Sequence, residues 1–104
     1  MQLVIIGTLD GQIGAASQIA IKRGAKVQQA DTSEAGLELL RKGGADLVMI
    51  DVKLDVDAFM SCLETERINV PVVACGVSND TQAAVRAVRA GAKEYVPLPP
   101  DPEL

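Results

Sequence analysis

Five short apolar runs separated by stretches of helical periodicity constrain this chain more than any other feature. The runs are residues 3–6 (LVII), 26–30 (KVQQA), 46–50 (DLVMI), 70–75 (VPVVAC) and 93–96 (KEYV). Most lack apolar–polar alternation, the pattern of strands covered on both faces. The polar residues of KVQQA mark it as an edge strand. A helix is expected over 12–23, stopped by Gly24, which takes a left-handed position at low cost. A second follows Asp31, with Glu34 three residues on as a helix-start pair. A third is expected over 55–67. A fourth starts at Ser78 or Asn79, runs through Ala90 and ends at Gly91. Each strand–helix unit is about 20 to 25 residues long, so successive strands are joined by helical crossovers. The expected fold class is α/β: a doubly wound, five-stranded parallel sheet with right-handed crossovers.

The chain has 104 residues, enough for one domain. It is 48% hydrophobic and 23% charged, which supports a real core. The net charge is -4, and ten Lys and Arg are spread along the chain rather than clustered. That distribution argues against a grip on nucleic acid by this domain. With no His, the commonest general base and transition-metal ligand is missing. Cys62 and Cys75 show no metal-ligand spacing and read as reduced, largely buried thiols of a cytoplasmic protein. The start MQLVIIG has no signal-peptide pattern, and no apolar run is long enough to span a bilayer.

In a doubly wound sheet, function gathers at the carboxyl ends of the strands. Those ends fall at residues 7–10, Asp31, 51–53, 76–78 and 97–99, with Asp51 at the centre. A carboxylate ending a buried strand needs compensation, so Asp51 is the first candidate for function. A competing reading is nucleotide binding. GTLDGQIG places Gly7, Gly11 and Gly14 between a strand and a helix, and Asp31 stands where an acid could meet ribose hydroxyls. The spacing is not G-x-G-x-x-G, and both Asp31 and Asp10 have simpler roles as helix caps. A small enzyme fits least, because the edge offers no base–nucleophile pair and no complete metal site.

The segment AGAKEYVPLPP resembles the end of a response-regulator receiver domain, through Ala90, Gly91, Ala92, Glu94, Tyr95 and Pro99. PVVACGV and DLVMID are similar to that family's fourth strand and phosphoacceptor strand. GTLDGQ, ASQIAIKRGAKVQ, VACG and GAKEYVPLPPDPEL resemble, more closely, the regulatory domains of flagellar sigma-54-dependent transcriptional activators. The resemblance implies a flavodoxin-like strand order of 2-1-3-4-5. It implies one receiver domain over 1–104, ending before its fifth helix. In the family an ATPase domain and a helix-turn-helix follow, and no G-x-x-x-x-G-K-[ST] occurs here.

The resemblance also makes Asp51 the phosphoacceptor position. Receivers surround it with an acidic pair that binds Mg2+, a hydroxyl after the fourth strand and a lysine after the fifth. The matching positions here are Gly7 and Thr8, Gly76 and Leu98. The expectation is that Asp51 is a remnant, held by backbone N–H groups, Lys53 or Lys93. No cofactor is expected, with Mg2+ implied only if Asp51 is a working phosphoacceptor in a two-component phosphorelay. Ser78 and Lys53 are the nearest substitutes.

Helix periodicity places Ala84, Val85, Ala87 and Val88 against the sheet, and Arg86 and Arg89 on an exposed face. Tyr95 matches the family's switch aromatic. Arg86, Arg89, Lys93 and Tyr95 thus form a candidate interface for a regulatory protein partner. Without a fifth helix, one sheet face is expected to stay open and to favour a homodimer there or through the Arg86–Tyr95 face.

Overall fold

The computed structural model describes residues 1–8, 17–18, 21–22, 24–76 and 81–97. Strands β1 (Gln2–Ile6), β2 (Lys26–Ala30), β3 (Leu47–Asp51), β4 (Val72–Gly76) and β5 (Glu94–Pro97) form one sheet. Its order is β2-β1-β3-β4-β5, with every pair parallel. Helices α1 (Ser33–Gly43), α2 (Val56–Thr65) and α3 (Thr81–Ala90) follow β2, β3 and β4. Of the helix expected over 12–23, residues 17–18 and 21–22 are helical, and the rest lies outside the described residues. Gly24 has the anticipated positive φ of 83°.

Successive side chains of a strand point to opposite faces, so each strand feeds two cores. Val4, Ile6, Val48, Ile50, Val72 and Ala74 face α1, α2 and α3 and meet Leu37, Leu40, Phe59, Leu63 and Ala87. Leu3, Ile5, Ala25, Val73 and Cys75 build the core on the opposite face. There Val27, Leu47, Met49 and Val96 are only partly covered. β2 leaves Lys26, Gln28 and Gln29 exposed, as an edge strand should.

The helix starts bring one correction. The N-cap of α1 is Thr32, whose Oγ1 accepts the Ala35 N–H at 3.1 Å. Asp31 does not cap it; its carboxylate accepts from Gln29 Nε2 at 2.7 Å. Asp55 does cap α2, accepting the Ala58 N–H at 3.0 Å. The Ser78 or Asn79 start expected for α3 lies outside the described residues. α1 and the end of α2 are tied by Arg41, whose Nε and Nη2 donate to Glu66 at 2.6 and 2.7 Å.

Two burial expectations also change. Cys75 is buried but Cys62 is exposed, because the buried row of α2 is Val56, Phe59 and Leu63. In α3, Ala83 and Ala87 face inward, while Val85 and Val88 are 44% and 48% exposed. Alanines one turn apart let α3 sit close to the sheet, and close approach turns the larger valines outward.

Candidate functional site

Parallel register brings the strand ends to one edge. Ile6 pairs with Ala30 and with Ile50, Asp51 with Cys75, and Gly76 with Pro97. Asp51, the last residue of β3, is 4% exposed, the one buried polar or charged side chain among the described residues. Its Oδ1 accepts the Lys53 N–H at 2.9 Å, so the backbone of its own loop supports it. The Leu54 N–H closes the turn onto the Asp51 carbonyl at 3.0 Å. Of the other acids in this loop, Asp55 caps α2 and Asp57 lies in its first turn, where the helix dipole favours negative charge.

Gly7 closes the site from β1. Its φ of 108° is a conformation that side-chain-bearing residues rarely adopt. A Cβ built there would lie 2.5 Å from the Asp51 Cβ, so the two residues cannot both carry side chains in this arrangement. The Gly7 N–H donates to the Ala30 carbonyl at 2.8 Å. Its carbonyl accepts from Gln29 Nε2 at 3.1 Å, the group that also donates to Asp31. Gln29 therefore ties Gly7 to Asp31, a role the sequence did not reveal because it depends on two strand ends meeting. Thr8 is exposed, and Asp10, Gly11, Gly14, Leu98 and Pro99 lie outside the described residues.

On the far side of Asp51, Gly76 ends β4. A Cβ there would collide with the Tyr95 hydroxyl and stand 3.0 Å from Val52 Cγ2. Tyr95 is half-buried and packs against the helix-covered core. Cys75, beside Asp51, has its thiol pushed up to about 12 by burial, with smaller contributions from the Asp51 and Glu94 charges.

A cleft of about 740 Å³ opens between the loop after β3 and α3. Asp51, Asp55, Asp57, Gly76, Arg86 and Arg89 are among the residues that line it. Of the candidate interface residues, Arg86 and Arg89 line the Asp51 cleft, and Lys93, also exposed, lies just before β5, two residues from Tyr95. Among the described residues, no group of three or more Cys, Asp or Glu gathers to hold a metal ion. Nor is any described helix long and apolar enough to cross a membrane.

Residues 8–103 match the family described as response regulator receiver domain. The chain belongs to the receiver domain family. It is 49% identical over its whole length to "Transcriptional regulatory protein FlbD" of Caulobacter vibrioides, and spans 23% of that protein. It is 33% identical over 93 residues to "Transcriptional regulatory protein AfsQ1" of Streptomyces coelicolor, matching 86% of this chain and 41% of that protein. The receiver domain of NtrX from Brucella abortus has the same fold, with a TM-score of 0.81 at 19% identity. That match covers 95% of this chain and 87% of the NtrX domain. The strand order 2-1-3-4-5 is the one the resemblance implied.

Proposed function

We propose that this chain is a pseudo-receiver: a regulatory domain of a sigma-54-dependent activator of flagellar genes, acting through protein contacts and without phosphorylation of Asp51. It works in the cytoplasm, joined to an ATPase and a DNA-binding domain, and answers to a regulatory protein partner. It performs no catalysis of its own. The likeness to FlbD supports the regulatory role.

The observation that carries the loss of phosphorylation is the packing of Gly7 on Asp51. In ordinary receivers an acidic residue from the end of the first strand helps hold Mg2+ beside the phosphoacceptor. Here the space such a side chain needs is filled by the Asp51 Cβ. Mg2+ is usually held by one or two carboxylates with waters and phosphate oxygens. The described residues do not fit that group, because Asp51 has no acidic partner at Gly7 or Thr8. The hydroxyl position is Gly76, and the lysine position is Leu98. Losing one preorganised donor costs roughly 10² to 10³ in rate. A working phosphoacceptor at Asp51 is the alternative. Arg86, Arg89 and the exposed Val85 and Val88 give α3 a basic, partly apolar outer surface suited to a protein partner.

The test is transcription of target genes by the full-length protein carrying Asp51→Ala. Regulation is expected to persist. A complete loss of regulation, with the fold intact, would contradict the proposal.

A further inference from the structure

The carboxyl ends of β4 and β5 hold a side-chain arrangement that the regulatory reading has not used. Tyr95 pairs across the sheet with Ala74, and Cys75 with Val96. Ala74 and Gly76 lie two residues apart, so they share the face on which α2 and α3 pack. A diagonal neighbour two residues along the adjacent strand is within reach of an aromatic side chain. Tyr95 makes that reach. Its hydroxyl ends where a side chain at position 76 would begin. The ring carbon Cζ would be 3.2 Å from such a Cβ. A side chain at 76 would displace the Tyr95 hydroxyl from this position.

We propose that Gly76 is a positioning residue for Tyr95. By carrying no side chain, it gives the Tyr95 hydroxyl a fixed seat at the end of β4. It thereby sets the shape of the face that α3 and β5 present to a protein partner. The seat depends on packing between two strands and not on a signal at Asp51. This inference rests on the regulatory reading only for the partner; the seat itself stands on geometry.

Two features support it. Tyr95 packs with the helix-covered core while α3 borders the same strand. Val52, in the loop after Asp51, forms the other wall of the seat.

Tyr95 is the single Tyr of a chain without Trp, so tyrosine emission reports on this side chain alone. Acrylamide quenching of that emission tests the seat. The wild-type chain is expected to be protected. In Gly76→Ala the quenching constant is expected to rise severalfold with the thermal transition retained. Asp51→Asn is expected to leave quenching unchanged. Tyr95→Phe removes the atom in closest conflict, so Gly76→Ala should lower the melting temperature less in that background. A folded Gly76→Ala with Tyr95 still protected would overturn the inference, and so would exposure of Tyr95 by Asp51→Asn alone. If Gly76→Ala does not fold, wild-type chain labelled with 3-fluorotyrosine decides. Fluorine signal resistant to a soluble nitroxide supports the seat, and signal broadened by the nitroxide as much as that of free 3-fluorotyrosine overturns it. Transcription by full-length Gly76→Ala is read separately. Altered regulation supports the role in shaping the partner face, and unchanged regulation with Tyr95 exposed overturns that role while leaving the seat intact.

Discussion

Asp51 was legible in the sequence because a carboxylate ending an apolar strand has few structural reasons to be there. What surrounds it was less legible. Gly7 and Gly76 read as departures from a family pattern, but their steric meaning lies across the sheet, in the Asp51 Cβ and the Tyr95 hydroxyl. A glycine's sequence position does not reveal what fills the space it leaves. Cys75 is a similar case: its apolar setting signalled burial, and the structure adds the neighbouring acids. Its folded pKa is raised from 9.0 to about 12, so the unfolded chain releases the thiol proton first as pH rises. That contribution to stability is fully present below about pH 9 and is lost as pH climbs toward 12. Urea melts at pH 8 and above pH 10 should show a stability loss that is smaller in Cys75→Ala. An equal loss in both proteins would contradict the assignment.

At the scale of elements, strands were the most legible part. β2 spans the residues expected of it, and the others are within two residues at either end. Helix faces were harder. Periodicity alone admitted Val85 and Val88 to the buried stripe of α3, because four apolar residues in five positions cover more than one face. The structure rotates the stripe to Ala83 and Ala87, since small residues permit the closest approach to the sheet. Ala83→Leu should therefore cost about 1 to 3 kcal/mol through overpacking. Val88→Ala should change stability by no more than about 0.5 kcal/mol, as exposed substitutions do. Chemical denaturation of both variants checks the orientation, and the reverse ranking would restore the valines to the core. The Asp31 expectation failed for a related reason. Two adjacent residues could cap α1, and the Gln29 amide engages Asp31, leaving Thr32 to cap.

For the molecule as a whole, the alternation of apolar runs and helical stretches was enough to give a parallel α/β sheet. Strand order came from family resemblance, because periodicity does not say which strands are neighbours. The assembled edge joins two regions that the sequence keeps apart. The loop after β3 brings acids and α3 brings arginines to one cleft beside Asp51. Along the same edge, Gly7 and Gly76 close packing around positions where an ordinary receiver keeps its chemistry. That packing supports regulation by contact rather than by a phosphoryl group.

Whether Asp51 works as a phosphoacceptor is tested most directly by an NMR amide-shift titration with Mg2+, followed by Mg2+ with beryllofluoride as an acyl phosphate mimic. No shifts around Asp51 are expected at millimolar ligand. Shifts centred on Asp51 and spreading to Tyr95 would contradict the pseudo-receiver reading and establish a phosphorylation switch built from other residues.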